Sequence, residues 1–90
     1  MNKAELVTAV AAKTGMTKRS AEEVVNALFD TITDAVRDGD KVTVSGFGTF
    51  LLVERAARLG RNPKTGQEIH IAARKMPRFI PGKTFREMAK

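Results

Sequence analysis

The spacing of hydrophobic residues along the chain changes from that of helices to that of strands. Residues 2–14 and 17–38 carry apolar side chains three and four positions apart, which is the spacing of amphipathic helices. Asn2 and Thr17 stand where N-caps are expected, and a glycine follows each stretch. The sequence therefore predicts two helices before residue 40.

Beyond residue 40 the pattern is that of a sheet. Val42 and Val44 alternate with polar residues, and a glycine-containing bend leads into four consecutive apolar residues at 50–53. Such a run places bulky side chains on both faces of a strand. The two helices can cover one face of the sheet, and a second copy of the chain is the simplest way to cover the other face. Oligomerisation is also the favoured source of added stability, since the 90-residue chain has no cysteine.

The segment from residue 55 to residue 75 has little to bury and reads as a hairpin that leaves the body. Two strand-like stretches flank GRNPKTGQE at 60–68, where Pro63 and the glycines on either side are strong turn signals. After the hairpin, MPRFIPG returns to the body with Phe79 in the core. A terminal helix is predicted over 83–90, with Phe85 and Met88 on its inner side.

Positive charge is concentrated in this hairpin. The net charge is +6, but residues 1–54 hold six Lys or Arg against eight Asp or Glu. Residues 55–78 hold seven cations against Glu68 alone. This segregation favours a polyanion as partner over a merely solvated basic face.

Arginines at positions 55, 58 and 61 along a narrow ribbon suit the electronegative minor groove of DNA. Pro63 at the tip is compact, apolar and without an N–H donor, so it could enter a base step as a wedge. The residues alone support equally a second role, in which Pro63 only stiffens the turn.

Other classes of function find little support. GKT at 82–84 lacks the preceding glycine of a phosphate-binding loop, because Pro77 stands there. His70 has no second histidine or any cysteine to share a metal, and no catalytic constellation is visible, so neither an enzyme nor a cofactor is expected. No stretch reads as a signal peptide or membrane span. Two alternatives to DNA binding stay open. One is an RNA-binding module, and the other is a structural oligomer whose basic arm binds a protein or an anionic membrane.

The motifs GFGTF at 46–50 and GRNPKTG at 60–66, with Arg55 and Arg58 between them, resemble the signature of the bacterial histone-like HU and integration host factor family. The resemblance runs the full chain, from MNKAELV to PGKTFREMAK. Two positions depart from the family's pattern. Many relatives carry a cation at the position of Ile80, and smaller or polar residues are common at that of Leu59.

The resemblance implies an α+β fold: a helical base and a three-stranded antiparallel sheet extended into a β-ribbon arm, in an intertwined dimer. It implies one domain over 1–90, with 1–54 and 76–90 as the dimerisation body and 55–75 as the DNA-binding arm. Phe47, Phe50 and Phe79 would form a shared dimer core.

The resemblance also implies a set of DNA contacts. The residues implied along the arm are Arg55, Arg58, Arg61, Asn62, Lys64, Arg74, Lys75 and Arg78. Those implied at the body, where a bent duplex meets phosphate-binding cations, are Lys3, Lys83 and Arg86. Pro63 would intercalate, as in members of this family that are established examples of minor-groove wedges.

The implied function is binding of double-stranded DNA with little sequence preference, with bending and compaction in the cytoplasm, at the nucleoid. Bent, nicked or gapped duplexes would be favoured. The tip and arm look more like HU than like the sequence-reading integration host factor. A homodimer is the expected assembly, with pairing to a paralogous chain as the alternative.

Overall fold

The computed structural model describes residues 1–88 and has the α+β composition expected from the sequence. The elements in chain order are α1 (Lys3–Thr14), α2 (Lys18–Arg37), β1 (Val42–Val44), β2 (Gly48–Arg55), β3 (Arg58–Arg61), β4 (Glu68–Ile71), β5 (Arg74–Pro81) and α3 (Lys83–Met88). The last two residues of the predicted terminal helix lie outside the described residues.

The first two helices begin at the predicted caps. The side chain of Asn2 accepts a hydrogen bond from the backbone N–H of Glu5 at 2.9 Å, and the Thr17 hydroxyl accepts one from the backbone N–H of Ser20 at 3.1 Å. Each bond satisfies a backbone donor that has no partner within its helix. Gly15, with φ of 72°, closes α1 in the left-handed conformation.

The chain divides into two compact units, Met1–Asp34 and Ala35–Lys90. The first contains α1 and most of α2. Its core consists of small side chains, with Val7, Ala11, Ala21 and Val25 buried together. Because so little volume is enclosed, several larger side chains of α2 remain about half exposed, namely Val24, Leu28 and Phe29.

The second unit contains two antiparallel sheets. In the larger sheet β2 lies between β1 and β5, and β3 pairs with β4 in the smaller one. The turn from β1 to β2 is closed by a hydrogen bond from the N–H of Phe47 to the carbonyl of Val44, with Gly46 at φ of 79°. This positive φ at the third residue is the requirement of a type II turn and explains the glycine.

Aromatic side chains gather on one face of the larger sheet. Phe50 and Phe79 are register partners on β2 and β5, with ring centroids 4.8 Å apart. Phe47 lies 5.2 Å from Phe79 and stacks at 4.9 Å on Phe85 of α3. These separations fall within the favourable range for aromatic pairs. The predicted inward position of Phe85 fits this cluster, whereas Met88 is 75% exposed and does not face it in the single chain.

Gly48 is buried because Phe79 and the backbone of β5 occupy the space where a side chain would be. A Cβ atom built on Gly48 would lie 2.6 Å from the Phe79 ring and 2.6 Å from the carbonyl oxygen of Ile80. Ordinary carbon contacts are about 3.5–4.0 Å. The glycine is therefore required by the close approach of the two strands.

Replacing Gly48 with alanine is expected to lower the free energy of unfolding by roughly 1–3 kcal/mol, the usual range for overpacking. The rigid backbone oxygen of Ile80 places the effect toward the upper end. Chemical denaturation at fixed protein concentration measures the loss. Gly82→Ala is the control, since a Cβ there would make contacts of 3.4 Å or more and should cost less. Equal losses for the two variants would contradict the argument.

The apolar residues of the sheet are only partly covered within one chain. Residues 50–53 of β2 are half-buried on both faces, and Phe47 and Ile80 are each 42% exposed. Among residues 1–88, no helix is long and apolar enough to cross a membrane.

Candidate nucleic-acid interface

The predicted arm, residues 55–75, contains the ribbon formed by β3 and β4, which has two different faces. The register pairs Arg58 with Ile71 and Gly60 with Ile69, so these side chains share one face. The other face carries the alternate residues, which are Leu59, Arg61, Glu68 and His70. The arm thus combines an apolar side chain and a cation on each face.

Glycine at position 60 is explained by the isoleucine beside it. A Cβ at Gly60 would lie 3.0 Å from the end of the Ile71 side chain, so the absence of one lets Ile71 lie across the arm. Leu59, on the opposite face, is 60% exposed. At this departure from the family's pattern the arm therefore presents an apolar side chain to its surroundings.

Where the larger sheet ends, two arginines stand directly opposite each other. Arg55 is the last residue of β2 and pairs with Arg74, the first of β5. Like charges at such a cross-strand position destabilise a sheet. Arg58 begins β3 only three residues beyond Arg55, so three guanidinium groups are contributed by this short region.

These three arginines surround a concavity of about 300 Å³. Its lining residues are Arg55, Ala56, Ala57, Arg58, Ile71, Ala72 and Arg74. Ala56, Ala57 and Ala72 contribute only methyl groups to this lining. Among residues 1–88, no carboxylate lies within 4.0 Å of any of the three guanidinium groups. An anion such as a phosphate would relieve the repulsion between Arg55 and Arg74 and accept hydrogen bonds from their planar forks.

Two further cations of the predicted site lie on β5 but on different faces. Arg78 shares the face of Arg74, four residues away, and therefore extends the basic surface along the sheet. Lys75 points to the other face and pairs in register with Glu54. The structure thus separates Lys75 from the arginines with which the sequence had grouped it.

The tip of the arm is a closed turn over residues 62–67. The N–H of Asn62 donates to the carbonyl of Gln67 at 2.8 Å, and the N–H of Gly66 donates to the carbonyl of Asn62 at 2.7 Å. Gly66 has a φ of 71°, which favours glycine. Pro63 and Lys64 lie between these bonds and are exposed. The turn therefore presents a proline and a cation together at the far end of the arm.

The remaining predicted contacts belong to helices. Lys3 is the first residue of α1, in the first unit. Lys83 and Arg86 lie three residues apart on α3, in the second unit, and therefore share a helix face. All three are exposed. Their contact with phosphates stays a prediction, as do the DNA contacts of the arm and the dimer role of the phenylalanines.

Sequence reasoning missed two features of this site. It did not identify Arg55 and Arg74 as a facing pair, because register is set by long-range strand pairing. It also assigned Asn62 to DNA alone, whereas the Asn62 side chain accepts a hydrogen bond from the N–H of Lys64 at 2.9 Å. An asparagine that opens a turn is a known signal for such a bond, so this feature was available from the sequence.

A family model described as "Bacterial DNA-binding protein" matches residues 1–90 of the chain. The chain belongs to the HU family of bacterial DNA-binding proteins. It is 53% identical over 90 residues to the DNA-binding protein HU of Geobacillus stearothermophilus, with 100% of both chains covered. It is 54% identical over 87 residues to the HU protein of Nostoc, covering 97% of this chain and 93% of that one.

Solved structures of HU proteins share the fold. A cocrystal structure of Anabaena HU with DNA matches with a TM-score of 0.89 and 53% identity, covering 99% of this chain and 97% of that chain. HU from Thermotoga maritima matches with a TM-score of 0.72 and 32% identity over 100% of both chains. The family assignment and the α+β fold expected from the sequence are confirmed, and an intertwined dimer is consistent with them.

Proposed function

We propose that the chain binds double-stranded DNA with little sequence preference, laying its arms in the minor groove and bending and compacting the duplex. The observation that carries the proposal is the arm itself, with three arginines around a concavity at its base and an exposed proline at its tip. Membership of the HU family and the likeness to an HU structure solved with DNA support it. They also favour it over an RNA-binding module.

In this proposal, cations contact phosphates and no side chain needs to read a base. Such contacts fix the position of a protein on the duplex without carrying sequence information. The cations proposed for this role along the arm are Arg55, Arg58, Arg61, Lys64, Arg74, Lys75 and Arg78. Lys3, Lys83 and Arg86 would hold phosphates at the body, where a bent duplex comes down.

Bending follows from the wedge. Inserting Pro63 between two base pairs costs a few kcal/mol of stacking, and the bent duplex then touches more of the protein surface. Additional phosphates reach the cations of the arm base and the body, and their binding offsets the cost. Bent, nicked or gapped duplexes are favoured in this scheme, because part of the deformation has already been made.

The proposed assembly is a homodimer, with pairing to a paralogous chain as the alternative. Its support is the small number of buried residues in the single chain. Within residues 1–88 only five hydrophobic side chains are buried, at Val7, Ala11, Ala21, Val25 and Val36. The exposed side chains of α2 and the ring cluster of Phe47, Phe50 and Phe79 would be covered by the partner. Two arms from one dimer could then embrace a duplex. The proposed location of the dimer is the nucleoid, in the cytoplasm.

Replacing Pro63 with alanine tests the wedge. The bend is expected to fall by tens of degrees, since wedge-driven kinks are about 20–90°. The slope of log affinity against log salt should also fall, because a less bent duplex brings fewer phosphates to the cations of the arm base and the body, while the phosphate contacts along the arm remain. Energy transfer between dyes at the two ends of a duplex measures the bend, and a salt titration of affinity is made on the same duplex.

Lys64→Gln is the matched control, because Lys64 is the neighbouring exposed residue and carries the charge of the tip. This variant should lower the salt slope by about 0.9 per arm while most of the bend remains. If Pro63→Ala bends the duplex as much as the wild type does, the proline only stiffens the turn. If the wild type bends no duplex, the proposed function is wrong.

A further inference from the structure

Asn62 makes three hydrogen bonds that together define the tip. Its N–H donates to the carbonyl of Gln67 at 2.8 Å, and its carbonyl accepts from the N–H of Gly66 at 2.7 Å. Its side-chain oxygen Oδ1 accepts from the N–H of Lys64 at 2.9 Å. The first two bonds close the turn from both sides, and the third spans Pro63.

The burial of Asn62 agrees with this internal role. It is half-buried, whereas Pro63 and the four residues after it are all exposed. The oxygen of this partly covered side chain already accepts a bond from inside the turn, so the turn sets the orientation of the side chain. The exposed neighbours are the ones presented outward.

We propose that Asn62 is a positioning residue for the Pro63 wedge, which it holds at a fixed angle through the bond between its Oδ1 and the N–H of Lys64. The proposal rests on the proposed bending function and adds to it the group that orients the wedge. It replaces the direct DNA contact that the family resemblance implied for this residue.

The physical basis is the small number of constraints at a ribbon tip. An isolated two-stranded ribbon is only marginally stable in water, so its end samples many conformations unless local bonds restrict it. The ring of Pro63 fixes its own φ but not its ψ, which sets the direction of the chain into Lys64. The bond from Lys64 back to Asn62 restricts that torsion, because it closes a short ring across the proline.

The first experiment uses the free protein and compares Asn62→Ala with Asn62→Ser. Loss of one hydrogen bond contributes a net effect of about 1 kcal/mol, so hydrogen exchange of the Lys64 amide should become about fivefold faster in Asn62→Ala. Serine offers an oxygen to the N–H two residues on, as Thr65 already does for Gln67 at 3.3 Å. Asn62→Ser should therefore restore much of the protection. An unchanged Lys64 amide in Asn62→Ala would overturn the proposal.

The second experiment measures the bend and affinity of the same variants with DNA. Asn62→Ala should lose most of the bend that Pro63→Ala loses, and the double variant should lose little more, since both residues act through one wedge. Asn62→Ser should recover part of the bend. Affinity for a duplex gapped at the kinks should stay within about twofold of wild type, because that duplex needs little wedging.

Two results would decide against a positioning role. An equal fall in affinity on intact and gapped duplexes, with normal exchange at Lys64, would make Asn62 a direct DNA contact. Full bending by Asn62→Ala would show that the wedge needs no support from the side chain. A wild type that bends no duplex would instead overturn the proposed function, and the Lys64 exchange rates would still report whether Asn62 orders the tip.

Discussion

Replacing Arg55 and Arg74 together with glutamine is expected to weaken DNA binding and flatten its salt dependence. Each phosphate contact contributes about 0.9 to the slope of log affinity against log salt, so removing two of them lowers it by about 1.8 per arm. At about 0.1 M salt the same relation gives a roughly 60-fold loss of affinity per arm. A fluorescence titration of a short duplex over a range of salt concentrations measures both quantities.

The same double variant is expected to make the free protein slightly more stable. Arg55 and Arg74 are direct register partners, and like charges at such positions destabilise a sheet. Lower affinity for DNA together with higher stability of the free protein is the result expected only if the two arginines are arranged to bind an anion. An ordinary structural defect would lower stability and affinity together.

Lys13→Gln with Lys41→Gln is the control for this variant, because it removes the same charge from exposed residues outside the arm. It should lower affinity only through the long-range field, which is largely screened beyond about 10 Å at 0.1 M salt. If the control flattens the salt slope as much as Arg55→Gln with Arg74→Gln does, the protein attracts DNA by total charge alone. The concavity at the arm base would then have no particular role.

The order of elements could be predicted from local chemistry. The caps at Asn2 and Thr17 and the helix-ending Gly39 use interactions that span only a few residues, so sequence spacing contains them. The turn at 60–68 could also be predicted, because its proline and glycines lie within a few residues of one another. Consecutive apolar residues in β2 also predicted two faces that need cover, and residues 50–53 are half-buried in the single chain.

Pairing across the sheet could not be predicted in the same way. Which residue of β5 faces Arg55 depends on strand register, and a shift of one residue would exchange the faces of every side chain. The separation of Lys75 from Arg74 and Arg78 follows from that register alone. The exposure of Met88 has a similar cause, since one-turn spacing with Phe85 does not fix the rotation of a six-residue helix.

Replacing Phe79 with alanine is expected to have the largest effect on stability. Removing a core phenylalanine typically costs about 3–5 kcal/mol. Phe79 contacts the rings of Phe47 and Phe50, at 5.2 Å and 4.8 Å between centroids, and its ring also lies over Gly48. If these rings form the shared core of a dimer, the variant should be both less stable and of lower mass in solution. Chemical denaturation and light scattering at several protein concentrations measure the two effects.

Concentration dependence separates a shared core from one within a single chain. Unfolding of a dimer becomes harder as protein concentration rises, because the free energy of association is part of its stability. The wild type should therefore unfold at a higher denaturant concentration in more concentrated samples. Leu59→Ala removes an exposed apolar side chain of the arm and should preserve both the mass and this dependence. A Phe79→Ala protein that keeps the dimer mass while losing stability would assign the aromatic cluster to the interior of each chain, and the covering partner would have to be sought on the exposed face of α2.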